Sequence, residues 1–240
     1  TPDGWDSREL LEPSKDDGTR TFDDEGDVGV LRTWRAMCPE LQERWPEAAR
    51  PEDWEGVDMK NDRVVKLLLE EFDLTGAVPA EIGRLSALRE LNLGDNELTS
   101  LPAEIGRLTS LRDLFLIGNQ LTSVPADIGQ LTSLTRLWLS HNQLTSLPAE
   151  IGQLTALTRL NLGDNQLTSL PAEIGQLTSL RDLYLGNNEL SSLPAEIGQL
   201  TALEHLDLSG NQLTTLPAAI RELRAAGCNV HTDDGVTFDE

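Results

Sequence analysis

Basic residues are scarce in this sequence. It has 19 Lys and Arg against 41 Asp and Glu, which gives a formal net charge of −22 at pH 7. Proteins that bind nucleic acid gain affinity from basic side chains that displace counterions from the phosphate backbone. We therefore predict no nucleic-acid partner.

Cysteines and long apolar runs are also scarce. Cys38 and Cys228 are the two cysteines of the sequence, and they lie on opposite sides of the repetitive region described below, so no intrachain disulfide is predicted. Two unpaired thiols favour an intracellular or organellar location over a secreted one. No segment approaches the ~20 apolar residues that cross a bilayer, so no membrane insertion is predicted. Nothing resembles a signal peptide. Because the chain begins with Thr1, the sequence leaves open whether a targeting segment has been removed.

Residue sets that carry catalysis or bind cofactors are missing as well. His141, His205 and His231 are far apart in the sequence, and no Ser, His and Asp set converges. Neither cysteine has a neighbour at the spacing of metal ligands. Glycine motifs that bind phosphate are also absent. We therefore predict no enzymatic activity, no cofactor and no metal.

A repeated pattern fills most of the chain instead. Leu88, Leu111, Leu134, Leu157, Leu180 and Leu203 each open a copy of L-x-x-L-x-L-x-x-N-x-L-x-x-L-P-x-x-I-G, and a slightly longer copy opens at Val64. Self-similarity at a fixed period of this size is typical of solenoids, in which each unit is too small to fold alone. Seven stacked units are predicted.

The pattern predicts that each unit forms a strand, a turn and one helical turn. Alternation of apolar and polar residues in L-x-L, as at Leu137 and Leu139, predicts a short half-buried strand. The Asn that follows, such as Asn142, can satisfy backbone groups of the turn and of the neighbouring unit. In the segment 147–152, Pro148 is expected at the first helical position and Gly152 at the helix exit.

These motifs resemble those of leucine-rich repeat proteins. Asn96, Asn119, Asn142, Asn165, Asn188 and Asn211 occupy the Asn position of that family's motif. The resemblance implies an α/β solenoid, a horseshoe with a parallel sheet on its concave side and short helical turns on its convex side. It also implies a protein-interaction scaffold or subunit.

The segment before the repeats resembles the N-terminal cap of plant-type leucine-rich repeat proteins. Trp54-Glu-Gly-Val57 is followed by R-V-x-x-L-x-L from Arg63. That family usually flanks its Trp-Gly-Val with a pair of disulfide-forming cysteines. Glu52 and Met59 stand at about those places here, so the resemblance covers the cap without its cysteine pair.

Four segments are predicted along the chain. Residues 1–27 form an acidic arm, residues 28–62 a helical and hairpin cap, residues 63–226 the repeats and residues 227–240 a C-terminal cap. Asp27 is expected to be the N-cap of a helix that Pro39 breaks into two pieces. If the arm is docked, its anchors are expected to be Trp5, Leu10, Leu11 and Phe22.

The concave face is the candidate binding surface. Strand residues between the core leucines vary from repeat to repeat, and aromatic and arginine side chains are enriched at interface hot spots. The candidates are Phe115, Trp138, Tyr184, Arg112, Arg136, Arg159, Arg181 and His141. The alternative is that Phe115 and Trp138 merely pack on each other.

The function predicted from these features is protein–protein interaction. A protein partner would bind the concave face, and the acidic arm could bind as well. An alternative is an ice- or mineral-binding protein that uses the regular row Thr99, Thr122, Thr145, Thr168, Ser191 and Thr214. In the competing explanation, these hydroxyls satisfy backbone groups of the turns.

Overall fold

Short strands, one from each repeat, build the main sheet of this protein. The computed structural model describes residues 26–239. The strands in this part of the chain are β1 (Val57–Lys60), β2 (Arg63–Leu68), β3 (Thr75–Ala77), β4 (Glu90–Asn92), β5 (Glu97–Ser100), β6 (Asp113–Phe115), β7 (Arg136–Trp138), β8 (Arg159–Asn161), β9 (Asp182–Tyr184), β10 (His205–Asp207), β11 (Thr215–Leu216), β12 (Asn229–His231) and β13 (Thr237–Phe238).

Nine of these strands form one sheet in the order β1-β2-β4-β6-β7-β8-β9-β10-β12. Strand β1 is antiparallel to β2, and each later neighbour pairs in parallel. Two small parallel pairs, β3 with β5 and β11 with β13, lie outside this sheet. The predicted α/β solenoid with a parallel concave sheet is confirmed.

Short helical turns cover the convex side. They are 3-10 helices at Ala80–Arg84, Ala103–Arg107, Ala126–Gln130, Ala149–Gln153, Ala172–Gln176 and Ala195–Gln199. The proline was expected at the first helical position, but Pro148 lies one residue earlier in extended conformation (φ −68°, ψ 148°). Its carbonyl accepts a hydrogen bond from the Ile151 N–H at 3.1 Å, which closes the turn.

The core lies between the sheet and the convex turns. In the repeat that opens at Leu134, the side chains of Leu137, Leu139 and Ile151 are completely buried. The equivalent residues of the other repeats stack above and below them in one continuous cluster. Each repeat therefore depends on its neighbours for burial of its apolar side chains.

Gly152 has a different role from the one that its sequence position indicated. It is the fourth residue of a 3-10 turn that continues to Gln153, and it is not among the glycines with positive φ. A Cβ at this position would lie 2.6 Å from the backbone oxygen of Glu173 in the next repeat. Glycine is thus required for the close stacking of consecutive convex turns and not for a helix exit.

Replacing Gly152 with Ala is expected to destabilise the protein by about 2 kcal/mol, because the Glu173 backbone must move away. The matched control is Gly163→Ala, since a Cβ there would make contacts of 3.4 Å. That substitution should leave stability unchanged or raise it by a few tenths of a kcal/mol. Urea unfolding midpoints measure the difference, and equal midpoints for the two variants would contradict this role of Gly152.

The segment predicted to be the N-terminal cap consists of α1 (Asp27–Met37), α2 (Pro39–Arg44), a 3-10 turn at Pro51–Asp53 and the β1–β2 hairpin. Asp27 was expected to be the helix N-cap, but Gly26 holds that position. The carboxylate of Asp27 is 5% exposed and accepts hydrogen bonds from the Val64 N–H at 2.8 Å and from Arg63 Nε at 3.0 Å. Asp27 therefore connects α1 to the first repeat.

Two tryptophans hold the second half of this cap together. Trp45 and Trp54 stack with their ring centroids 5.0 Å apart. The indole N–H of Trp45 donates to the Glu55 carbonyl at 2.8 Å, and that of Trp54 donates to the Pro46 carbonyl at 3.0 Å. The expected anchors of the acidic arm lie outside the described residues.

At the other end, the last convex turn lengthens into α3 (Ala219–Ala225), as the decay of the pattern predicts. Strand β12 then extends the main sheet, and Val230 and Phe238 pack against the core. Cys38 and Cys228 are both unpaired. Burial raises the pKa of each of these two thiols, which disfavours the reactive thiolate form.

Candidate binding surface on the concave sheet

Aromatic side chains occupy one column across the concave sheet. The parallel register aligns the last residues of neighbouring strands, so Phe115 lies beside Trp138. The full column is Leu68, Asn92, Phe115, Trp138, Asn161, Tyr184 and Asp207. Because each strand is held on both sides, these side chains project from a rigid base.

Phe115 and Trp138 make an edge-to-face pair. Their ring centroids are 5.6 Å apart and the ring planes meet at 82°. The guanidinium of Arg136 lies 5.5 Å from the Phe115 centroid. Both aromatic side chains are half-buried, so the pair packs together and still presents apolar surface to the concave side.

Tyr184 is separate from this pair. Asn161 lies between Trp138 and Tyr184 in the column, and Tyr184 is 38% exposed. A cavity of about 280 Å³ lies beside it, lined also by His205, Asp207 and His231. His205 and His231 are far apart in the sequence, and the repeat pattern did not predict that β12 would pair with β10 in parallel.

The arginines at the centre of the sheet are engaged by carboxylates of adjacent strands. Arg136 forms an ion pair with Asp113 on β6, and Arg159 Nε lies 2.9 Å from Asp182 Oδ2 on β9. Hydrogen bonding to Asp113 raises the pKa of Arg136, which keeps it charged. These pairs leave less free positive charge on the face than its arginine content indicates.

Three more residues complete the predicted set. Arg181 lies 3.0 Å from Glu204, and both side chains are exposed. The exposed Arg112 precedes β6, and its side chain has no hydrogen-bond or ion-pair partner within residues 26–239. His141 lies in the turn after β7, in the left-handed region at φ 53°, with Nε2 3.6 Å from Asp164. His141 is thus at the edge of the concave surface and not on a strand.

Asp113 and Asp182 were missing from the predicted site. Their positions share one strand column with Arg136 and Arg159, at intervals of 23 residues. Opposite charges at neighbouring positions of a column indicate cross-strand ion pairs. This signal was readable in the sequence.

Between residues 26 and 239, no three His, Cys, Asp or Glu side chains come together as metal ligands would. No helix in this part of the chain has the length and apolar character needed to cross a membrane.

A parallel concave sheet, convex 3-10 turns and a buried row of asparagines together define a leucine-rich repeat solenoid. The family described as "Leucine-rich repeat region" matches residues 63–185, and "Leucine Rich repeats (2 copies)" matches residues 178–225. The first of these covers more than half of the chain, which therefore belongs to the leucine-rich repeat family.

Solved structures and one curated protein are similar to this chain. A leucine-rich repeat protein of Leptospira interrogans is 44% identical with a TM-score of 0.64, and the match covers 68% of this chain and 41% of that one. The ectodomain of the Arabidopsis receptor kinase HAESA, solved in complex with an IDA peptide hormone, is 27% identical with a TM-score of 0.68 over 88% and 41% of the two chains. The curated LRR receptor-like serine/threonine-protein kinase EFR of Arabidopsis thaliana is 35% identical over 86 residues, 33% of this chain and 8% of EFR. The chain thus spans less than half of each of these relatives.

Proposed function

We propose that this chain is a non-enzymatic interaction module that binds a protein or peptide partner on its concave face. The observation that carries the proposal is the pair formed by Phe115 and Trp138, which presents aromatic surface from the centre of a rigid sheet. Aromatic residues at the centre of an interface commonly supply most of its binding free energy. The HAESA ectodomain, which has the same fold, was solved with a peptide hormone.

The charged residues around the aromatic pair support a role in orientation. Arg136 and Arg159 are held in place by Asp113 and Asp182, so a partner meets cations whose positions are already fixed. Preorganised side chains lose less conformational entropy on binding. In this proposal the chain acts as a scaffold or as a subunit of a larger assembly, and the acidic residues 1–27 offer a second contact.

The cap that precedes the repeats is part of the same proposal. We infer that residues 28–62 act as a plant-type cap in which the stacked Trp45 and Trp54 take over the function of the missing disulfide. Their ring contact and their two indole hydrogen bonds support this inference.

The test uses peptides selected for binding from a random display library, with dissociation constants measured by isothermal titration calorimetry. Replacing Phe115 and Trp138 with Ala should weaken binding about 30-fold or more, because a buried aromatic anchor contributes about 2 kcal/mol or more. The same substitutions should cost only about 1 kcal/mol of folding stability.

Glu150→Gln and Glu173→Gln on the convex side are the matched controls and should leave affinity unchanged. A selected ligand that tolerates loss of both aromatic residues, but depends on the convex acids or on residues 1–25, would contradict the proposal.

An ice- or mineral-binding function is the second candidate. The side chains of Thr99, Thr122, Thr145 and Thr168 are exposed, and none of these four hydroxyls makes a hydrogen bond within residues 26–239. The expectation that they satisfy turn backbone is therefore wrong, and a regular hydroxyl row remains on the surface. A thermal hysteresis measurement decides this alternative, since an ice-binding protein depresses the freezing point without an equal change in melting point.

A further inference from the structure

Two neighbouring arginines at the edge of the sheet where the strands begin have no carboxylate partner in the part of the chain that the structure describes. Arg89 and Arg112 directly precede β4 and β6, and the Arg112 N–H donates to the Arg89 carbonyl at 2.8 Å. Both side chains are exposed, and neither has an ion pair or hydrogen bond within residues 26–239. Acidic residues outnumber basic ones about two to one in this chain. Two such arginines at the starts of neighbouring strands are therefore unexpected, since like charges repel each other.

The two arginines line a common cavity. Its volume is about 610 Å³, and its charged lining consists of Arg89, Arg112 and Arg136 against Asp113, a net formal charge of +2. The carboxylate of Asp113 is already engaged by Arg136 and by the Thr135 hydroxyl. The charge that stays uncompensated in the cavity is that of Arg89 and Arg112.

Hydroxyl groups and further cations surround this charge. Thr109, Ser110, Ser133 and Thr135 line the same cavity. A second cavity of about 520 Å³ shares Arg89 and Ser110 with the first and adds Lys60 and Arg63, of which Arg63 already pairs with Asp27. The edge is thus a short basic strip with hydrogen-bond donors on a strongly acidic protein.

We propose that this strip binds a doubly charged oxyanion, the phosphoryl group of a phosphorylated segment on a protein partner. A guanidinium offers a planar fork of N–H donors that matches phosphate oxygens. One phosphoryl dianion balances both Arg89 and Arg112, whereas a single carboxylate leaves one of them unpaired. The site goes beyond the proposed function, because neither Phe115 nor Trp138 lines it.

The charge of the whole chain favours a phosphorylated protein over a nucleic acid. A formal net charge of −22 repels an extended polyanion. A single phosphoryl group on an otherwise uncharged segment meets mainly the local field of the strip, because salt screens charges beyond about 8–10 Å.

The first test titrates the full chain with inorganic phosphate and follows the arginine side-chain Nε–Hε signals by NMR. Saturable shifts are expected for Arg89 and Arg112. Arg112→Gln should weaken phosphate binding at least tenfold. Arg107→Gln is the matched control, because Arg107 is an exposed arginine of the repeat that contains Arg89 and lies on the convex turn Ala103–Arg107. This control should have no effect, and neither should the double substitution of Phe115 and Trp138 by Ala.

The second test compares hexapeptides of Gly and Ser that carry either one phosphoserine or one glutamate. The phosphoserine peptide should bind the full chain at least tenfold more tightly, and Arg112→Gln should remove this preference. Equal binding of the two peptides, shifts that do not saturate, or an equal response to Arg107→Gln would overturn the proposal.

Two further outcomes would also overturn it. Tighter binding of a single-stranded oligonucleotide than of the phosphoserine peptide would identify nucleic acid as the ligand. Phosphate binding that requires removal of residues 1–25 would identify the chain's own acidic segment as the occupant of the strip.

Discussion

Deleting residues 28–62 is expected to convert the protein into a self-associating species without cooperative unfolding. Val64, Leu67 and Leu69 of the first repeat are fully buried, and α1 packs against β2 and against the first convex turn. Removing the cap exposes these side chains together with one open end of the stack. Solenoids require terminal units with a polar outer face, and an exposed apolar end promotes association. Size-exclusion chromatography with light scattering, together with urea unfolding, measures both effects.

Point substitutions distinguish the effect of lost packing in the cap from the effect of shortening the chain. Trp34→Ala should cost about 3–5 kcal/mol of stability, because the Trp34 side chain is 1% exposed in the core of the cap. Met37→Ala on the same helix is the control, since Met37 is 54% exposed and its loss should change stability by less than about 0.5 kcal/mol. A deletion variant that stays monomeric and unfolds cooperatively would show that residues 28–62 are not the cap.

The architecture and the aromatic column could be predicted because the repeats that open at Leu88 and after it share one length. A constant period of 23 residues aligns Phe115 with Trp138 as soon as the strands are taken to be parallel. Local alternation of leucines identified the strands, and the positions of Asn and Pro identified the turns. None of these inferences needed information about contacts between distant side chains.

Predictions from the sequence were wrong where a residue is constrained by a neighbouring repeat or by the cap. Gly152 was interpreted as a helix exit from its local sequence, but the constraint on it comes from Glu173 in the next repeat. Asp27 has the residue type of an N-cap, yet its carboxylate binds Val64 and Arg63 across the fold. Local propensity does not encode such contacts, so only the assembled stack reveals them.

The location of the candidate site was predictable from the sequence, but the pairing of its charged side chains was less so. The concave face follows from the repeat, whereas the pairing of Arg136 with Asp113 depends on side-chain conformation across two strands. The period also ends after the sixth copy of the Asn, so nothing in it indicated that β12 would bring His231 close to His205.

Asn142→Ala is expected to lower stability by about 3 kcal/mol, because one buried side chain makes hydrogen bonds to several backbone groups. Its Oδ1 accepts a hydrogen bond from the Leu121 N–H at 3.0 Å. Its Nδ2 donates to the carbonyls of Leu116 at 2.8 Å, Leu139 at 3.1 Å and Ser140 at 3.2 Å. Alanine leaves the buried Leu121 N–H without a partner, and an unsatisfied buried group of this kind costs about 1–3 kcal/mol. The three carbonyls each lose one of two hydrogen bonds, because Leu116 O also accepts from Asn119, Leu139 O from Asn165 and Ser140 O from the Gly118 N–H.

Two comparisons identify which of these hydrogen bonds matter. Asn142→Asp keeps an acceptor for Leu121 but replaces the donor amide with a carboxylate that faces three carbonyl oxygens. It should therefore destabilise the protein at least as much as Asn142→Ala. Gln143→Ala is the control, since Gln143 is the next residue and its side chain is exposed, and it should change stability by less than about 0.5 kcal/mol.

Position along the stack provides a graded test of the same mechanism. Asn211 makes the same set of hydrogen bonds, with Leu190, Leu185, Leu208 and Ser209, but it is only partly buried near the C-terminal end. Water reaches the groups that Asn211→Ala would leave unpaired, so this variant should lose clearly less stability than Asn142→Ala. Equal losses at the two positions, or rescue by Asn142→Asp, would show that side-chain volume and not hydrogen bonding is what the asparagine row contributes. Urea unfolding of the four variants under one set of conditions distinguishes these outcomes.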